Sequence, residues 1–198
     1  KMDVIFRMIR EILNTSDVTD TRRLHEIISR VKSRAQSSLV SAGHSTAVLR
    51  AASYASPMAA FQDGMAGIAY YQFIEKLDRE FDDRKEEIIE NLKSLMVEIL
   101  RPENLCISYT GERESLDSVQ KQIRELKKTL HQEVTESSSS EMICQKKNEG
   151  FMTSGQVQYV AQAGNFRKKG YDYTGALNIL KVALSYDYLW INIRVKGG

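Results

Sequence analysis

Apolar positions recur at helical spacing over most of this chain. Val4, Ile5, Met8, Ile9, Ile12 and Leu13 repeat at i, i+3, i+4 and i+7 before a polar run at 14–19, which predicts an amphipathic helix and then a break. From Asp20, whose short carboxylate suits an N-cap, a stripe through Leu24, Ile28, Val31, Ala35, Leu39, Ala42 and Leu49 predicts a long helix of about eight turns. Residues 51–56 close it. Ser56-Pro57 reads as N-cap and first helical residue of a third helix. Its first half is rich in small residues, Ala59, Ala60, Gly64, Ala66, Gly67 and Ala69, before Tyr70, Tyr71, Phe73 and Leu77. Small side chains let backbones approach, so this face is expected to pack closely on a neighbouring helix. A charged stretch at 78–87 leads into Ile88, Leu92, Leu95, Met96, Ile99 and Leu100, a fourth amphipathic helix.

Two stretches change period. Leu105, Ile107 and Tyr109 alternate with Cys106, Ser108 and Thr110, and in 151–163 Val157, Tyr159, Ala161 and Ala163 stand against Gln156, Gln158 and Gln162. Both patterns predict half-buried strands. Between them, Leu116, Val119, Ile123, Leu126 and Leu130 form one apolar seam on a charged background, predicting a helix over about 114–133. A last helix is expected over 174–193, capped by Thr174 and broken by Gly197. The polar segment 135–150, with four consecutive serines, reads as a linker between a unit at 1–134 and one at 151–198. The expected fold class is α+β, helix-rich with few strands. The sheets' other strands would lie outside the chain, so exposed strand edges are expected to pair, with a homodimer as one outcome.

Composition narrows the function. With 198 residues, 42% of them apolar, there is material for one large core or two small ones. The 28 basic and 26 acidic residues leave a formal charge of +2, which argues against a nucleic-acid partner. No stretch approaches the ~18 to 20 apolar residues of a membrane helix, so no membrane partner is expected and the chain reads as soluble. Cys106 and Cys144 form no C-x-x-C pair, and His25, His44 and His131 are widely separated, so no metal site is expected within the chain. His25-Glu26 lacks a second histidine on its helical face, where Ser29 and Arg22 stand. Ser41, His44 and Ser45 have neither a strained elbow nor an oxyanion hole. Gly64 and Gly67 lack the Lys-Ser/Thr pair of a phosphate loop. No catalytic residue is visible.

The last residues carry more. Trp190 and Arg194 precede Gly197-Gly198, setting an aromatic ring and a guanidinium beside backbone that a ligand can approach closely. Arg194 suits a peptide carbonyl or carboxylate. The alternative is a surface arginine stabilised at a helix C-terminus. Lys1 in mid-pattern and the closing Gly197-Gly198 read as the ends of a cut piece.

Ser41-Ala42-Gly43-His44-Ser45, the Ser-Pro helix start, and above all Tyr173-Thr174-Gly175-Ala176-Leu177 running through Leu184-Ser185-Tyr186-Asp187-Tyr188-Leu189-Trp190 to Ile193-Arg194-Val195-Lys196-Gly197-Gly198 resemble the C-terminal half of presequence-protease-like enzymes. These are zinc metallopeptidases of the insulinase, or pitrilysin-type, family. The similarity is strongest over 37–77 and 156–198 and weak over 111–150. It implies a peptidase whose two halves, each of two related α/β domains, close around short unstructured peptides. Zinc is the implied cofactor of the parent protein. Its inverted H-x-x-E-H motif and acidic ligand belong to the other half and are not in this sequence, so the fragment alone is expected to be inactive. The partners implied are an oligopeptide substrate and the N-terminal half of the parent, in the cytoplasm or an organelle matrix. Residues 1–134 would be the end of the third domain and 151–198 the start of the fourth. The family's arginine at the place of Arg194 reaches the substrate backbone together with a tyrosine six residues on, a position beyond Gly198. Arg194 is therefore the substrate-binding candidate. Two other readings stay open: a catalytically inactive scaffold or assembly subunit of the same family, and a free-standing helical adaptor.

Overall fold

Capping and helix-breaking residues divide the chain into eight α-helices in the computed structural model, which describes residues 2–132, 142, 144–153 and 155–197. They are α1 (Met2–Thr15), α2 (Thr21–Ser41), α3 (Gly43–Ser53), α4 (Pro57–Ala66), α5 (Ile68–Arg79), α6 (Phe81–Ile99), α7 (Leu116–Lys128) and α8 (Ala176–Ala183). The Asp20 carboxylate accepts from Arg23 N at 2.9 Å and starts α2. Ser56 Oγ accepts from Ala59 N, and Pro57 fills the first turn of α4, where its missing N–H is no loss.

Two cores hold the helices. Ile28 of α2, Ile74 of α5, and Phe81 and Ile88 of α6 form the first, with Leu24, Val31, Tyr70, Leu77 and Leu92 around them. Phe6 of α1 meets Val119 and Leu126 of α7 in the second, with Ile9, Leu13, Leu105, Tyr109 and Ile123 at its margin. Burying each such side chain contributes about 1.5–3 kcal/mol. Asp3, Gln122 and Arg10 form a polar chain along the α1–α7 contact, Gln122 donating to Asp3 at 2.7 Å and Arg10 donating to Gln122 at 3.2 Å.

The α+β expectation is overturned: among the described residues there are helices and no strand. The alternation at 105–110 reports a real difference between sides, since Leu105 and Tyr109 pack on the α1–α7 core. A strand also needs a neighbouring backbone to bond its N–H and C=O groups, and among the described residues no such ladder forms at this segment. The described residues of 151–163 are likewise not a strand; Phe151 and Tyr159 pack against α3 instead. A homodimer through strand edges accordingly has no support, because no sheet edge is formed.

Helix boundaries differ as well. The long helix expected from Asp20 breaks at Ala42 (φ −113°, ψ 36°), and the helix from Pro57 breaks at Gly67. The seam helix is shorter than expected, Leu116–Lys128. Thr174 does not cap α8 through its side chain; its carbonyl accepts from Leu177 N at 3.0 Å. After Ala183 the winding widens into a π-helix over Leu184–Val195, closed by Lys196 N–H on Ile191 O at 3.0 Å. Half of the expected linker, residues 135–141 and 143, lies outside the described residues, and 144–150 has no regular structure.

Candidate functional site

Arg194 lies in the last turn of the π-helical segment, exposed, its side chain making no hydrogen bond or ion pair to the described residues. Around it Tyr186, Tyr188, Leu189, Trp190 and Ile193 are exposed too. The helix thus displays a guanidinium among aromatic and aliphatic side chains. Chemically the group can donate to a carbonyl or a carboxylate through several N–H groups held in one plane.

The most elaborate polar cluster is elsewhere, and sequence reasoning missed it. Asp63, only 2% exposed, accepts from Ile68 N at 2.9 Å and Ala69 N at 3.4 Å at the start of α5, and from Arg50 Nη1 at 2.6 Å. The one carboxylate therefore caps a helix and pairs with a cation. Arg50 also donates through Nε and Nη2 to Glu149 at 2.9 and 3.3 Å and through Nε to the Tyr54 hydroxyl at 2.9 Å, while that hydroxyl donates to Glu149. The Phe151 ring lies 5.6 Å from the guanidinium carbon. Burial opposes the charge on Arg50, but the hydrogen bonds with Glu149 and Asp63 outweigh it and raise its pKa. The bonds from Arg50 and then Tyr54 hold the Glu149 carboxyl below the usual carboxylate range. One signal was available: Arg50 and Asp63 are lone charges in otherwise uncharged runs, 45–55 and 57–69. Isolated charges among apolar residues are stable inside a fold only when paired.

The histidines are separately engaged. His25 stacks on Phe81 with ring centroids 4.4 Å apart and places Nε2 at 3.4 Å from Asp78 Oδ1. Asp78 also accepts from Lys32 and from Ser29 Oγ, and Lys32 is the larger cause of its lowered pKa. Ser29 bonds the carboxylate directly, so His25, Asp78 and Ser29 have no nucleophile arrangement. A shallow cavity of about 560 Å³ beside this group is lined by Thr21, Arg22, His25, Arg30, Phe81 and Lys85, among others. His44 faces the Tyr159 ring at 6.4 Å, and Ser41 Oγ is turned to Ser38 O.

No group of three or more His, Cys, Asp or Glu among the described residues could hold a metal ion. Their donor set does not fit a zinc centre, which needs three or four such ligands converging on one point. No helix of the described residues is long and apolar enough to cross a membrane.

Comparison with known proteins places this geometry in context. Residues 1–77 match the model of the associated domain of peptidase family M16, subfamily C. The whole chain is 33% identical to Protein HypA of Clostridium perfringens over 198 residues, 20% of that protein. It is 25% identical over 203 residues to Presequence protease 1, chloroplastic/mitochondrial, of Arabidopsis thaliana, covering 18% of it. With the mitochondrial Presequence protease of Yarrowia lipolytica it shares 26% identity over 204 residues, 20% of that protein. Each alignment takes in 100% of this chain, which spans about a fifth of the length of these relatives. The chain is thus similar over its whole length to a part of each of these proteins.

Proposed function

We propose that the chain is part of the substrate-enclosing, non-zinc-binding C-terminal half of a zinc metalloendopeptidase that degrades short unstructured peptides. The observation that carries this reading is the similarity, over the whole chain, to two proteins named as presequence proteases. The zinc ligands lie outside this chain, the fragment alone is inactive, and its partners are the oligopeptide and the N-terminal half of the parent. Arg194 binds the substrate backbone near the scissile carbonyl. A fixed cation there stabilises an oxygen that gains negative charge more than the ground-state carbonyl. Its exposure on the π-helical segment, free of any competing carboxylate among the described residues, supports that role.

Replacing Arg194 with Ala in the full-length protein tests it. The expected result is a fall in kcat/KM on the order of 100-fold, as for loss of one oxyanion donor, with zinc content and melting temperature unchanged. Arg194→Lys recovers only part, because an ammonium cannot reproduce the planar fork. Turnover equal to the parent's refutes the assignment to Arg194. A full-length protein that binds no zinc and cleaves no peptide replaces the peptidase reading with that of a scaffold subunit.

A further inference from the structure

We propose that residues 144–167 act as a strap latched onto helix α3 through Arg50 and Glu149, and that breaking this one contact releases the strap while leaving the helical body intact. The described residues of the strap have no regular structure before the short 3₁₀ turn at Phe166–Lys169, so backbone ladders do not hold them. Its described attachments fall on α3 and the residues just after it. Glu149 receives the two Arg50 bonds and the Tyr54 hydroxyl. Phe151 lies over the Arg50 guanidinium. The Tyr159 ring occupies the space a side chain on Gly43 would need, 2.3 Å from a Cβ built there. Asn165 Nδ2 donates to Ala55 O at 3.1 Å, beside a cavity of about 220 Å³ under residues 163–167.

Arg50 divides its donors in a way that makes the contact separable. Nη1 serves Asp63, which caps α5, whereas Nε and Nη2 serve the strap. Removing the Glu149 charge therefore leaves Arg50 paired with Asp63 and bonded to Tyr54. Nothing buried in the body loses its only partner. A fork-shaped, charge-assisted contact is the strongest single attachment the strap possesses, and segments held by few side chains open independently of the core. The strap runs on into the helix bearing Arg194, so its attachment sets where that helix begins relative to α3; this consequence alone rests on the role proposed for Arg194.

Hydrogen exchange of the full-length protein, read by mass spectrometry, tests the latch with Glu149→Gln and Asp63→Asn. Trypsin cleavage at the exposed Lys146 and Lys147 gives a second readout. In Glu149→Gln, cleavage at Lys146 and Lys147 accelerates several-fold, while α3, α4 and α5 exchange as in the parent. Asp63→Asn instead raises exchange at the α4–α5 junction. Unchanged cleavage at Lys146 and Lys147 in Glu149→Gln overturns the proposal. So does loosening of α3–α5 to the same extent as the strap, because Glu149 would then be part of the body. Peptide turnover does not enter either readout, so a failure of the Arg194 assignment remains distinguishable.

Discussion

Two glycines three residues apart are expected to respond in opposite directions to the same added methyl group. At Gly67 a Cβ would lie 2.2 Å from Asp63 Oδ1 and 2.9 Å from the Asp63 backbone Cα, well inside the ~3.5 Å of an ordinary contact. The backbone at Gly67 is extended (φ −100°, ψ −152°), so the obstacle is space and not conformation. The carboxylate cannot yield cheaply, because it accepts from Ile68 N at 2.9 Å and from Arg50 Nη1 at 2.6 Å. Overpacking costs about 1–3 kcal/mol, and a buried Ile68 N–H left without its acceptor costs about 1–3 kcal/mol more. Gly67→Ala is therefore expected to destabilise the chain by about 2–6 kcal/mol. At Gly64, exposed in the interior of α4, a Cβ meets nothing within 4 Å. There alanine gains about 1 kcal/mol from helix propensity. Urea unfolding of both variants measures the gap as a shift in midpoint at constant m value. In a thermal scan it is a separation on the order of 10 °C for a chain of this size. Variants shifted in the same direction, or a Gly67→Ala as stable as the parent, would show that Asp63 is not held where its bonds place it.

Three further outcomes follow from the packing and charges. Lys32 and Ser29 keep the Asp78 carboxyl below its ordinary pKa. Its stabilising effect is complete above about pH 4 and is lost as the pH falls through the lower folded value. The stability gap between the parent and Asp78→Asn, read from urea midpoints, should hold steady down to about pH 5 and shrink as the pH falls through about 4 and below; a gap that stays constant into that range contradicts the linkage. Leu126→Ala, at a side chain 2% exposed between α1 and α7, should cost about 2–5 kcal/mol and speed amide exchange along α1. The same change at exposed Leu95 should stay within about 0.5 kcal/mol. Asp20→Ala removes the cap on Arg23 N and should cost about 1 kcal/mol, seen as fraying of the first turn of α2.

Local sequence determined where most of the helical stretches lie and two of their starts. Periodicity located α1, α2, α6 and α7 because an amphipathic stripe is a property of consecutive residues, and Asp20 and Ser56-Pro57 marked N-termini because capping spans only a few positions. The family resemblance was legible in the same way, in unbroken stretches such as 173–190, and it singled out Arg194. What tertiary structure decided were relations between distant segments. Alternation at 105–110 and 151–163 showed which side chains share a side, but not whether another backbone would complete a ladder or a helix would cover them. Helices took that place: α1 and α7 for Leu105 and Tyr109, α3 for Tyr159. The small residues of α4 and α5 promised a close helix contact, yet Gly67 makes room for Asp63 of the preceding helix and Gly64 faces open space. The Arg50, Asp63 and Glu149 cluster joins positions up to 99 residues apart. Arg50 and Asp63 each stand alone in an uncharged run, but only the folded chain could pair them, because burying a charge is tolerable only where a partner arrives through space.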